Sequence, residues 1–122
     1  MNQVNDLVRA LEDAKALEIV IIDIRNNADF ADYFIICSAT SNRHAKTIAD
    51  NCALAAKMGN YLHHFENDPQ MSWLIIDCYN VIVHIMQPDT RAFYQLENLW
   101  QLEPNHEPDT KKKLKLFAQA IN

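Results

Sequence analysis

The chain has 122 residues, of which 49% are hydrophobic and 22% charged, and its net charge is −5 at pH 7. This length suits one domain with a buried core. No apolar run approaches the roughly 20 residues of a membrane helix, and the N-terminus lacks the basic and apolar regions of a signal peptide, so we expect a cytoplasmic protein. The negative charge is a poor match for a phosphate backbone and favours a basic protein partner.

The N-terminal third predicts one helix followed by two strands. Apolar residues recur every three or four positions over residues 4–16, which indicates a helix with one apolar stripe. Residues 18–24 and 33–38 are β-branched and almost continuously apolar. This pattern is typical of strands that are covered on both faces.

A second helix follows these strands. Thr40 and Ser41 predict an N-cap for a helix over residues 42–58. Gly59, the single glycine of the chain, stands where a left-handed residue would end that helix. Residues 61–66 form a third, weaker strand prediction, because two adjacent histidines interrupt it.

The next stretch predicts two strands and a helix. Residues 73–78 and 81–86 are apolar runs separated by a polar turn, and Pro88 opens a helical pattern over 89–100. The inward face of this helix is predicted to carry Phe93, Leu96 and Trp100. The order α-β-β-α-β-β-β-α predicts a single α/β domain with a mixed sheet of about five strands and flanking helices.

Cysteine and glycine usage excludes some chemistry. The three cysteines include no C-x-x-C pair and each lies among apolar residues, so we expect buried free thiols. A single glycine rules out the glycine-rich loops that bind phosphates. We therefore expect no nucleotide cofactor.

Asp77 and His84 are polar residues in otherwise apolar strands, so a catalytic or metal site would be built on them. With Cys78 across the turn they suggest a small hydrolase or transferase, and with His63 and His64 a metal site. Adjacent strand residues face opposite sides, which makes the two histidines poor co-ligands. We favour a turn-capping Asp77 and a hydrogen-bonded, partly buried His84, and we expect no catalytic residues and no metal.

Three stretches of the sequence are more specific. They read A-D-Y-F-I-I-C-S-A-T, then T-S-N-R-H-A-K-T-I-A-D, and finally W-L-I-I-D-C-Y-N-V-I-V-H-I-M with R-x-F-Y-x-L-E-x-L-W. In this order and spacing, over residues 5–100, they closely resemble the motifs of the ribosomal silencing factor family, also called the Iojap or RsfS family. Seven residues match positions of the family motifs: Arg43, His44, Trp73, Asp77, His84, Tyr94 and Trp100.

The resemblance implies a fold and a division of the chain. The fold would be related to the nucleotidyltransferases but without their catalytic residues, and no cofactor would be needed. The silencing-factor domain would span residues 1–102, and residues 103–122 would be a C-terminal tail without a family match.

The resemblance also implies a partner. The chain would bind a basic protein on the intersubunit face of the large ribosomal subunit, block joining of the small subunit and repress translation, with little or no direct nucleic-acid contact. Trp73, Tyr94 and Trp100 would then supply apolar contacts, and Asp77 and Glu66 would pair with Arg or Lys of the partner. Alternatively, Trp100 is a core residue. Apolar strand edges and exposed aromatic residues also favour a homodimer.

The sequence departs from the family pattern in two turns. Tyr79 and Asn80 stand where members usually have glycine and aspartate, and E-N-D at 66–68 replaces a turn that commonly contains glycine. Two other functions stay open. One is the hydrolase or transferase already described, and the other is RNA binding by the lysine-rich residues 111–115.

Overall fold

The computed structural model describes residues 2–26, 28–61 and 63–96, and they form one five-stranded sheet with three helices. The elements are α1 (Asn2–Asp13), β1 (Leu17–Asp23), β2 (Tyr33–Ser38), α2 (Asn42–Met58), β3 (His64–Asn67), β4 (Trp73–Asp77), β5 (Val81–Met86) and α3 (Pro88–Tyr94). The strand order is β1-β2-β5-β4-β3. β2 and β5 are parallel, and the other neighbours are antiparallel. The predicted α/β class with a mixed sheet is confirmed.

The two faces of the sheet have different covers. Side chains alternate along each strand, so Ile35, Leu74 and Val83 point to one face and pack with α1 and α2. Phe34 and Ile82 point to the other face, which α3 and the segment between β1 and β2 flank. Within the described residues, no helix is long and apolar enough to cross a membrane.

β1 differs from its prediction. Among the strands that the structure describes, β2 is its one neighbour, and Leu17 and Ile21 are 45% and 48% exposed. The expectation that both faces of this strand are covered is therefore wrong. A run of β-branched residues indicates a strand but does not show that the strand lies at a sheet edge.

The end of α2 also differs from its prediction. Gly59 has φ −87°, and the left-handed conformation falls instead on Asn60, with φ 60°. Position 59 favours glycine because of its small size, since a Cβ there would lie 2.7 Å from Cε2 of Tyr61. The predicted left-handed cap at Gly59 is wrong by one residue, and asparagine is a residue that adopts this conformation readily.

α3 is shorter than predicted. It begins at Pro88, as expected, and ends at Tyr94 before the left-handed Gln95, with φ 49°. Leu96 is fully buried, as predicted, whereas Phe93 is 79% exposed and does not point inward. Trp100 lies outside the described residues.

Candidate protein-interaction site

The register of β3, β4 and β5 decides which of the predicted site residues share a face. Ile75 pairs with His84 on β5 and with Glu66 on β3. Because side chains alternate along a strand, Trp73 and Asp77 lie on the same face as Ile75. These residues therefore share the face opposite α1 and α2.

Trp73 is fixed by contacts on several sides. Its backbone N–H donates to Oδ1 of Asp68 over 3.0 Å, and its indole Nε1–H donates to Nδ1 of His84 over 3.0 Å. The ring packs against Tyr94, with 4.7 Å between the ring centroids and 50° between the planes. Trp73 is only partly buried, so an ordered indole borders the solvent.

An open cleft of about 340 Å³ lies beside this indole. Its lining residues are Asp68, Gln70, Ser72, Trp73, Asp89, Thr90, Phe93 and Tyr94. The Phe93 ring stands edge-on to Tyr94, with centroids 5.0 Å apart, and Asp89 lies in the exposed first turn of α3. Aromatic rings beside a carboxylate suit the cationic side chain of Lys or Arg.

We call Trp73, Phe93, Tyr94, Glu66 and Asp89 the aromatic-acidic surface. Glu66 is exposed on the same sheet face as Trp73, which agrees with its proposed role as an acidic contact. Sequence reasoning missed Asp89 and the exposed position of Phe93. A signal for Asp89 was present, because it follows Pro88 in the first turn of a predicted helix, where acidic residues are favoured and remain exposed.

His84 is fully buried rather than partly buried. It stacks edge-on against Phe34, with ring centroids 4.4 Å apart. Burial lowers the pKa of His84 from 6.5 to about 3, so its imidazole is neutral near pH 7. Since Nδ1 accepts the indole proton of Trp73, the imidazole proton must be on Nε2.

Asp77 supports the turn between β4 and β5. It is 1% exposed, and its Oδ1 accepts the backbone N–H of Tyr79 over 2.9 Å. The predicted turn-capping role is therefore observed. The expectation that Asp77 pairs with Arg or Lys of a partner conflicts with its burial, because the carboxylate cannot reach a docked surface. Asn80, at the end of the turn, is exposed, and its carbonyl accepts the N–H groups of Asp32 and Tyr33.

The alternative hydrolase or transferase site does not assemble. Cys78 packs among the residues under α1 and α2, whereas His84 lies on the opposite sheet face, against Phe34. Burial raises the pKa of the Cys78 thiol to about 12, which keeps it protonated and a poor nucleophile. Asp77, His84 and Cys78 therefore do not converge.

The histidines and cysteines of residues 2–26, 28–61 and 63–96 also form no metal-binding cluster. Within these ranges, no three His, Cys, Asp or Glu side chains come together in a way that could hold a metal ion. His64 is exposed, as the preferred interpretation predicted, and His63 is partly buried. Cys37, Cys52 and Cys78 are buried free thiols, which confirms that prediction.

The Thr40–His44 motif ties the start of α2 to the end of α1. Oγ of Ser41 accepts the backbone N–H of His44 over 3.0 Å, so Ser41 is the predicted N-cap. The Thr40 N–H donates to Nδ1 of His44, which leaves Nε2–H to donate to the Ala14 carbonyl over 3.0 Å. Arg43 is exposed beside this cap. The physical role of the motif is capping and helix packing.

These observations describe a small α/β domain with an aromatic-acidic surface on one face of a mixed sheet. The family model for "Ribosomal silencing factor during starvation" matches residues 1–120, so the expectation that residues 103–122 lack a family match is wrong. The chain belongs to this family, as the resemblance predicts. Membership also confirms the prediction that the chain is not an enzyme.

Individual relatives agree with this assignment. The chain is 37% identical over 101 residues to the ribosomal silencing factor RsfS of Haemophilus influenzae, covering 82% of this chain and 99% of that one. It is 33% identical to the mouse protein "Mitochondrial assembly of ribosomal large subunit protein 1", covering 79% of this chain and 44% of the mouse protein. A crystal structure of a Chromobacterium violaceum protein superposes with a TM-score of 0.79 at 25% identity, covering 93% of this chain and 96% of that one.

Proposed function

We propose that this chain binds the large ribosomal subunit in the cytoplasm, through a basic ribosomal protein on the intersubunit face. By occupying that face it would sterically block joining of the small subunit and repress translation. The observation that carries this proposal is the aromatic-acidic surface. Family membership and the name of the mouse relative, which mentions the large ribosomal subunit, support the same target.

The chemistry of the surface explains why a basic protein is the expected contact. Trp73 and Tyr94 form an ordered aromatic pair, and the exposed ring of Phe93 extends it. Aromatic side chains dominate binding energy when they become buried in an interface. Asp89 lines the cleft beside the pair, and Glu66 is exposed on the same sheet face as Trp73. Their negative charge favours Lys and Arg over RNA phosphates.

Co-sedimentation with purified large subunits tests the docking surface. We expect the wild-type chain to co-migrate at low salt and Trp73→Ala to bind about 30-fold more weakly, as for an interface loss of about 2 kcal/mol. Phe65→Ala is the matched control, because Phe65 is also exposed but pairs with Ile76 and points to the opposite sheet face. Equal loss in both variants, or no co-migration of the wild type, contradicts the proposal.

Charge variants test the chemistry of the partner. Glu66→Gln with Asp89→Asn should weaken binding and flatten its salt dependence, because two contacts to Lys or Arg are lost. Glu12→Gln with Asp13→Asn, an equal loss of two charges at exposed positions of α1, should do neither. A salt dependence that is the same in all three proteins would exclude these carboxylates from the interface.

Subunit joining tests the steric step. When the chain is added to large subunits before small subunits, we expect fewer complete ribosomes in a sucrose gradient, and Trp73→Ala should restore them. If complete ribosomes form in normal amounts with the chain still bound, steric exclusion is wrong even though binding is right.

Two further features of the chain belong to this proposal. We propose that residues 1–102 are sufficient for binding, so removal of 103–122 should leave affinity and salt dependence unchanged. A reduced salt slope would instead favour RNA contact by the lysine-rich tail.

We also propose that the chain forms a homodimer through the exposed edge of β1, where Leu17 and Ile21 lie. Light scattering should then show a dimer that Ile21→Lys dissociates.

A further inference from the structure

His84 occupies a buried position where an apolar side chain would give a more stable fold. The other five residues of β5 are Val81, Ile82, Val83, Ile85 and Met86, and the whole strand is buried. Within the described residues, Nε2 of His84 has no hydrogen-bond partner. Burying an imidazole with an unpaired N–H destabilises a fold relative to an apolar side chain of similar size. Packing alone therefore does not explain a histidine here.

The other ring nitrogen has a defined role. Nδ1 accepts the indole N–H of Trp73 over 3.0 Å, and the two ring centroids are 5.8 Å apart. On its other side the imidazole meets Phe34, with ring centroids 4.4 Å apart. β5 is hydrogen-bonded to β2 and β4, so this acceptor stands on a strand that is held from both sides.

The bond determines how Trp73 is presented. A partly buried indole could instead turn its N–H toward water, since indole N–H groups need a partner and solvent supplies one. An acceptor inside the core directs that N–H inward and favours the orientation in which the ring lies against Tyr94. The ring orientation is thus set before a partner arrives, and an ordered contact residue loses less conformational entropy on binding.

We propose that His84 is a positioning residue for partner recognition, which holds the Trp73 indole in its docking orientation through the hydrogen bond to Nδ1. The inference rests on the proposed docking role of Trp73. His84 itself is fully buried, so it touches no partner and acts only through the indole. His84 thus lowers the stability of the fold but preorganises the surface that contacts the partner.

Two substitutions separate positioning from stability. His84→Leu keeps a side chain of similar size and removes the acceptor, so we expect a fold as stable as the wild type or more so. His84→Asn is smaller and should be less stable, but its Oδ1 occupies nearly the place of Nδ1 and can accept the indole proton. Binding should therefore weaken in the more stable variant, His84→Leu, and be nearly kept in the less stable one, His84→Asn.

The readouts are large-subunit affinity, the urea midpoint and the indole ¹H–¹⁵N signals of the two tryptophans. The signal missing from Trp73→Phe identifies Trp73. We expect His84→Leu to shift that signal, to speed its exchange with solvent and to weaken binding about tenfold, as for one lost hydrogen bond. His84→Asn should keep the signal and bind within about threefold of the wild type.

Each outcome bears on a different claim. If His84→Leu binds like the wild type although the Trp73 signal has shifted, indole positioning is wrong while ribosome binding stands. If both variants bind in proportion to their stability, His84 is only structural and the inference fails. If the wild type does not bind and the Trp73 signal still responds to His84→Leu, the proposed function fails although the hydrogen bond is real.

Discussion

Tyr79 occupies a backbone conformation that suits glycine. Its φ is 75°, and the N–H of Asn80 donates to the carbonyl of Cys78 over 3.0 Å. A hydrogen bond between residues i and i+2 around a positive φ is the pattern of a strained γ-turn. Tyr79 is 71% exposed, so its side chain packs little and offsets little of this strain. We therefore predict that Tyr79→Gly stabilises the protein.

The magnitude follows from two opposing effects. A side chain with a Cβ in a left-handed conformation costs about 1–2 kcal/mol relative to glycine. Glycine loses more backbone freedom on folding than tyrosine does, which lowers the free energy of unfolding by about 0.5–1 kcal/mol. The net gain for Tyr79→Gly is therefore about 0.5–1 kcal/mol, or about 2–5 °C in the midpoint of thermal unfolding for a domain of this size.

Urea denaturation followed by far-UV circular dichroism measures this gain, with Tyr79→Ala as the matched control. Alanine removes the same aromatic ring but keeps Cβ, so the difference between the two variants isolates the backbone effect. We expect Tyr79→Ala to be close to the wild type and Tyr79→Gly to be more stable than both. If glycine is no more stable than alanine, the turn is not strained and the reasoning is refuted.

Three other predictions concern stability and reactivity. Burial holds the pKa of His84 at about 3 against 6.5 for the free side chain, so the unfolded chain binds a proton that the folded protein does not. From pH 7 to pH 4, the stability of the wild type in urea should therefore fall more steeply than that of His84→Leu. Ser41→Ala should lower the free energy of unfolding by about 1 kcal/mol, because the N–H of His44 loses its acceptor. A thiol reagent such as DTNB should leave Cys37 and Cys78 unmodified in the native protein, because burial raises both pKa values to about 12; rapid labelling would contradict that burial.

Several elements could be predicted to the residue because local chemistry determines them. Strands 33–38 and 81–86 are mostly apolar runs in central positions, with His84 as the polar exception in the second run. Helix 42–58 has an N-cap serine at its start and a glycine directly after its last residue. In each of these segments, propensity, pattern and termination signals agree. Such agreement between independent local signals is what makes a boundary readable from sequence.

The wrong predictions concern burial, which depends on contacts with distant parts of the chain. The exposure of Ile21 depends on β1 lying at the edge of the sheet, and strand order is not written in the strand itself. Phe93 fits an inward helical stripe, but α3 ends one residue later, at Tyr94, and the left-handed Gln95 brings Leu96 into the core instead. A short helix with an early stop changes which residues face inward.

Strand alternation and the length of the turn between β4 and β5 determine which candidate site residues share a face. Asp77 pairs with Ile82 and Cys78 bonds back to Val81, so Tyr79 and Asn80 form a two-residue connection between β4 and β5. Such a connection places Ile75 opposite His84, and residues an odd number of positions apart on β4 fall on opposite faces.

Cys78 is three positions from Ile75, so it cannot share a face with His84, whereas Trp73 is two positions away and must. One strand register therefore separates the Cys78 thiol from the His84 imidazole and brings the Trp73 indole next to that imidazole. The same two-residue turn keeps Cys78 away from His84 and places His84 where it accepts the indole N–H of Trp73. Inserting one residue between Tyr79 and Asn80 would shift the register and should abolish both the Trp73 hydrogen bond and ribosome binding.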